Sequence, residues 1–236
     1  MRITHLFFDA GNTIVYVNMG FVSEVLARHG ARATPAELWE AEYRVRSEID
    51  RPDLVKRTND HLRWTMYFER IFARCGIADK GLVEAAFADL RAYHARSNLW
   101  EVVPDHVPAT LDRLKGRYRM SVISNANGTV RDKLERVGLA PYFESILDSH
   151  VVGIEKPDPR IFRLALETAG ARPEASLYVG DLYHVDAVGA RAAGMHAVLL
   201  DPAGVHGDKP VPRVPDLASL PRALEDFEAS AGPTSL

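Results

Sequence analysis

Cysteine is almost missing from this 236-residue sequence: Cys75 stands alone. No disulfide can form within the chain, and a cysteine-rich metal site is excluded. A single thiol also sets the expectation of a reducing, cytoplasmic location. Long apolar runs are missing too. No stretch of 18 apolar residues occurs, which excludes a spanning helix, so no membrane partner is expected. The opening residues, Met1 to His5, lead into an apolar run that stops at Asp9, too short and too polar for a secretion signal. A surplus of positive charge is absent: the formal net charge is -3, so no global basic field invites nucleic acid. The nine histidines contain no HExxH pattern and suggest no zinc site. No internal repeat is evident.

What is present is ordinary in bulk and specific in detail. Hydrophobic residues make up 47% and charged residues 26%, as in a globular protein with enough chain to bury a core. Ile3 to Phe8 reads as a buried strand that ends at Asp9 and the turn formers Gly11, Asn12 and Thr13. The character then changes. Between 16 and 98 the periods are helical. His61, Trp64, Phe68, Ile71, Phe72 and Cys75 mark one helix face, and Thr34-Pro35 with Glu37 marks a helix start. This stretch reads as a helical insertion.

From about Leu99 strand and helix alternate. Strands are expected at 119–123, 145–147, 176–179 and 196–200. Helices are expected at 129–137, ending at Gly138, after Asp158-Pro159, and at 186–193. Alternation of this kind implies an α/β core with a parallel sheet and right-handed crossovers. The Pro- and Gly-rich stretch 201–215 is expected as a surface loop, and 230–236 as a frayed tail.

Polar residues stand at or near the strand ends: Asp9, Ser124, Lys156 (ahead of a helix) and Asp181. Open α/β sheets bind ligands beyond the carboxyl ends of their strands, so residues far apart in sequence can meet there. Two carboxylates, a hydroxyl and an ammonium suit a magnesium ion and a phosphate. Asp9 and Asp181 would hold the metal, with the Gly11 carbonyl as a third oxygen. Lys156, the Ser124 hydroxyl and the backbone N–H groups that follow it would hold phosphoryl oxygens.

Four motifs resemble those of the haloacid dehalogenase-like hydrolase superfamily: Phe7 to Ile14 around Asp9, then Ser124-Asn125, Lys156-Pro157-Asp158-Pro159, and Gly180-Asp181 with Asp186. Each is weak alone; the four in this order cover nearly the whole chain. The resemblance implies a Rossmann-like core, 1–15 with 99–236, and an inserted α-helical cap, 16–98. It implies Asp9 as a nucleophile that forms an aspartyl-phosphate, with Thr13 hydrogen-bonding near it. It implies Ser124, Asn125 and Lys156 at the phosphoryl group, and Asp181 and Asp186 at Mg2+. The partner would be a small phosphorylated metabolite; oligomeric state stays open.

One position departs from the pattern. Phosphatases of this superfamily carry a second aspartate two residues after the nucleophile, and here Gly11 stands in its place. General acid–base help is worth about 10²–10⁴ in rate. Three ways around the gap are a substrate with a good leaving group, an acid from the cap (Glu42, Lys56 or His61), or another reaction. The 2-haloacid dehalogenase branch also lacks that aspartate, but it usually replaces the Gly-Asp that this chain keeps at Gly180-Asp181. A non-catalytic phosphate-binding protein is the third class, and a binder has little need for Asp9 as a nucleophile.

Overall fold

The computed structural model describes residues 2–58 and 60–230. It resolves into two compact units, one built from the residues up to Val15 and from Val103 onward, the other from Tyr16–Val102.

The first unit is built on a six-stranded sheet, all parallel. Its strands are β1 (His5–Phe8), β4 (Arg119–Ser124), β5 (Ser145–Asp148), β6 (Ser176–Gly180), β7 (His196–Leu200) and β8 (Arg213–Val214). The order is β5-β4-β1-β6-β7-β8. Every residue of β1 is buried, as a central parallel strand covered on both faces must be. The crossovers carry helices α6 (His106–Leu114), α7 (Val130–Arg136), α8 (Ser149–Val152), α9 (Pro159–Ala169) and α10 (Val188–Ala192). Under one face Phe7, Ile123, Phe162, Ala165 and Tyr178 form the core. The chain leaves β1 between two neighbours, β4 on one side and β6 on the other. That is the topological switch point where an α/β sheet opens a crevice.

Helices fill the second unit: α1 (Met19–Arg28), α2 (Pro35–Ile49), α3 (Pro52–Arg57), α4 (Asp60–Arg74) and α5 (Lys80–Ser97). Phe68, Ile71 and Phe72 of α4 meet Leu38 and Val45 of α2 and Phe87 and Leu90 of α5 in its core. The start of α2 is the one its sequence announces. The Thr34 hydroxyl accepts from Glu37 N at 3.3 Å while Glu37 Oε2 accepts from Thr34 N at 2.8 Å.

Three expectations need correction. The unit boundary falls after Val102, not after residue 98. The reason is β3 (Trp100–Val102), which pairs antiparallel with β2 (Tyr16–Val17), while Leu99 is sealed in the helical core. The stretch 201–215 is not simply a surface loop. Asp201 accepts from Val205 N and His206 N at 2.8 and 3.0 Å, and the segment ends in the sixth strand, β8. The helix expected at 186–193 begins instead as a π turn, Tyr183–Ala187, and continues as α10. The last helix, α11, runs Leu220–Ser230; 231–236 of the expected tail lie outside the described residues. Among the described residues no helix is long and apolar enough to cross a membrane.

At the start of β1, at the end of the strand away from Asp9, sits buried His5. Its Nε2 lies 3.0 Å from Ser121 Oγ, which also accepts from Ser145 Oγ at 2.9 Å. Burial, with Arg119 beside it and Glu144 opposing, holds the imidazole pKa down to about 4 from the usual 6.5. The folded protein therefore keeps His5 neutral where the unfolded chain takes up a proton. Stability contributed above pH 6.5 is lost as pH falls toward 4, at most about 3 kcal/mol. Urea unfolding at pH 7.5 and 4.5 should show a smaller acid loss in His5→Gln than in the parent.

Candidate active site

Asp9 follows β1 directly, and its N–H donates to Val179 O of β6 at 2.8 Å, extending the sheet by one residue. The chain then turns tightly. Ile14 N and Val15 N both donate to Ala10 O at 3.0 Å, and the left-handed backbone of this turn falls on Asn12, φ 54°. Gly11 and the fully buried Thr13 lie in that turn.

Lys156 arrives from the loop between α8 and α9. Gly153 ends α8 in the left-handed conformation, and Asp158 caps α9 by accepting from Arg160 N at 2.9 Å. Between these punctuation marks the Lys156 peptide is clasped by one side chain. Asn125 Nδ2 donates to Lys156 O at 3.0 Å, and Lys156 N donates to Asn125 Oδ1 at 2.8 Å. The side-chain amide of Asn125 is spent at both ends on this backbone, so any contact it makes with a phosphoryl group falls to its own backbone N–H. Gly189 on α10 keeps the far side of the loop close, since a Cβ there would lie 2.8 Å from Pro157 O.

The Lys156 ammonium is 2% exposed and meets three oxygens: Asp9 Oδ1 at 2.7 Å, Asp186 Oδ1 at 2.7 Å and the Tyr178 hydroxyl at 2.8 Å. Burial alone would push its pKa down, but Asp186 and Asp9 outweigh that and hold the ammonium charged. Burial pushes the Asp9 carboxyl up; Lys156 pulls it back and Asp186 pushes it further. Burial also keeps the Tyr178 phenol protonated, reinforced by Asp186 and Asp9.

Asp186, 1% exposed, lies in the π turn that follows β6. Its Oδ2 accepts from Asp181 N at 3.1 Å and Leu182 N at 3.0 Å, fixing the turn after β6. Gly180 makes this possible, because a Cβ at that position would overlap the Asp186 carboxylate. Asp9, Asp181 and Asp186 each offer a carboxylate oxygen, all within 4.8 Å of one another. Ionised, these three acids leave two negative charges that Lys156 does not cancel. A buried set of hard oxygens with that deficit suits a divalent cation such as Mg2+.

Ser124 closes β4 and is 4% exposed. The loop after it is braced from the end of β5 and the start of α8. Asp148 accepts from Gly128 N, Val130 N and His150 N at 2.9, 3.3 and 3.0 Å, and Ser149 Oγ accepts from Ala126 N at 3.1 Å. The structure thus brings Asp9, Lys156, Asp181 and Asp186 together and adds residues that sequence reasoning missed: Tyr178, Asp148 and Ser149. A signal for Tyr178 was present. A hydroxyl inside a fully buried strand must find a partner.

Of the cap acids considered, Glu42 is sealed in an ion pair with Arg46, 2.9 Å, and accepts from Tyr67 Oη at 3.0 Å. Lys56 is exposed on α3, and the His61 side chain lies outside the described residues.

A parallel α/β sheet thus gathers three carboxylates and a lysine at its switch point. The family model for haloacid dehalogenase-like hydrolases matches residues 3–194, and the chain belongs to that family. It is 31% identical over 245 residues to the human haloacid dehalogenase-like hydrolase domain-containing protein 3, covering 98% of this chain and 97% of that protein. A 96-residue stretch, 39% of this chain and 42% of the relative, is 43% identical to the glyceraldehyde 3-phosphate phosphatase of Methanothermobacter thermautotrophicus. Among solved structures, the 2-haloacid dehalogenase of Pseudomonas syringae pv. Tomato superposes with a TM-score of 0.59 at 25% identity, over 95% of this chain and 99% of that one.

Proposed function

We propose that this hydrolase is a magnesium-dependent phosphohydrolase that acts on a small phosphorylated metabolite through an aspartyl-phosphate at Asp9. The observation that carries the reading is the buried meeting of Asp9, Lys156, Asp181 and Asp186, with its uncancelled negative charge. Similarity to a named phosphatase supports the substrate class. A magnesium ion held by Asp9, Asp181 and Asp186, with the Gly11 carbonyl as a further oxygen, would offset the repulsion between a carboxylate and a phosphate dianion.

The protein's own groups do the rest. An Asp9 oxygen attacks phosphorus, the ester P–O bond breaks, and the leaving oxygen departs with its electron pair. Lys156 and the Ser124 hydroxyl, with Thr13 beside the nucleophile, hold the phosphoryl oxygens as charge moves onto them. Water then cleaves the aspartyl-phosphate. Gly11 gives the leaving oxygen no proton, so the reading favours leaving groups that need none, such as the carboxylate of an acyl phosphate.

Dehalogenation is the second reading, favoured by Gly11 and by the likeness to a 2-haloacid dehalogenase. The deciding assay offers acetyl phosphate, p-nitrophenyl phosphate, an alkyl phosphate and 2-chloropropionate to the enzyme with magnesium. Hydrolysis of acetyl phosphate at least about tenfold faster than of the alkyl ester is expected. Halide release with no phosphate release would overturn the phosphatase reading.

A further inference from the structure

We propose that Tyr178 is a positioning residue for Lys156, one of two fixed anchors that aim the third N–H of its ammonium at the reacting group. The kinetic consequence rests on the phosphohydrolase reading; the positioning itself does not.

An ammonium has three N–H donors and no acceptor. All three are spoken for, by Asp9, Asp186 and Tyr178. The three acceptors are not alike. Tyr178 and Asp186 are 0% and 1% exposed, whereas the Asp9 side chain is 11% exposed. An incoming oxygen can therefore compete for Lys156 only on the Asp9 side. The N–H now given to Asp9 is the one handed to a phosphoryl oxygen, and the other two stay where they are.

Two anchors are needed for this, because a single hydrogen bond leaves the ammonium free to swivel about it. Asp186 is held by two backbone N–H groups. Tyr178 is held just as firmly. Its own proton goes to Ile123 O at 3.0 Å, a carbonyl fixed in β4, and Asp186 at 3.4 Å is the weaker alternative. Its ring packs edge-on against Phe162 with centroids 5.2 Å apart. With the proton committed, the phenol oxygen can only accept from Lys156. A neutral acceptor also suits this place, since a third close carboxylate would compete with the substrate for the lysine.

Tyr178→Phe keeps the ring and removes only the oxygen. Crystal structures of the variant and the parent, together with steady-state kinetics on acetyl phosphate, test the proposal. The Lys156 Nζ should be displaced or split between rotamers. Where the parent hydrolyses acetyl phosphate, kcat should fall about 10- to 100-fold with KM changed less than about threefold, because aim matters most in the transition state. The thermal midpoint should show that the fold persists. An ammonium superposing on the parent's overturns the proposal, as does an unchanged kcat in an enzyme that is active. A displaced ammonium in a protein inert toward every phosphate upholds the positioning and overturns the phosphohydrolase reading instead.

Discussion

Asp9→Asn should cost more than about 10⁴ in turnover while leaving the fold intact. Removing a covalent nucleophile eliminates the pathway rather than weakening one contact, and losses of this size or larger follow when such groups are removed elsewhere. The substitution is nearly isosteric. The amide oxygen can still accept from Lys156, now 2.7 Å from Asp9 Oδ1, so the strand end and the Asp186 contact should survive. One buried negative charge also disappears from a group of three. The check is purified variant and parent, compared for phosphate release and for thermal unfolding. A folded variant that retains more than a few per cent of activity would reject Asp9 as nucleophile.

The second large effect is metal dependence. Chelation by EDTA should abolish turnover, and magnesium should restore it. Three carboxylate oxygens within 4.8 Å repel one another, and Lys156 offsets only one of the charges. A cation that binds this set in the folded state and not in the unfolded chain must also stabilise the fold, by about 2.7 kcal/mol at 100 times its Kd. The thermal midpoint should therefore rise with magnesium, and Asp181→Asn should flatten that rise. The rise is independent of activity. Turnover indifferent to EDTA, together with a midpoint indifferent to magnesium, would remove the metal from the proposal.

The architecture was legible because its signals are long-range and redundant. Strand-helix alternation from about residue 99 and helical periods between 16 and 98 leave few topologies open. Motif residues at the ends of β1 and β6, and Lys156 ahead of α9, could be assigned to one crevice from connectivity alone. What stayed hidden was short or atomic in scale. β3 and β8 contain three and two residues, too few for any periodicity to register. The π turn at Tyr183–Ala187 differs from an α-helix by one residue of register, which composition does not encode. That the Asn125 side chain clasps the Lys156 backbone, and so can offer a ligand only its backbone N–H, is visible only in coordinates. Spacing tells which residues reach a place, not which of their atoms are left free there.

The pairing of β2 with β3 bears on how the chain can fold at all. β1 must find β4 across roughly 110 intervening residues, and closing a loop costs entropy that grows with the logarithm of its length. Most of that length is the helical unit, whose entry and exit lie side by side in the β2–β3 ribbon. Once that unit has folded, it acts as a short bridge, and the free segment between β1 and β4 shrinks to about 23 residues. The closure entropy then falls by about 1.4 kcal/mol. A large insertion thereby burdens the assembly of the sheet little more than a short loop would, provided it folds first.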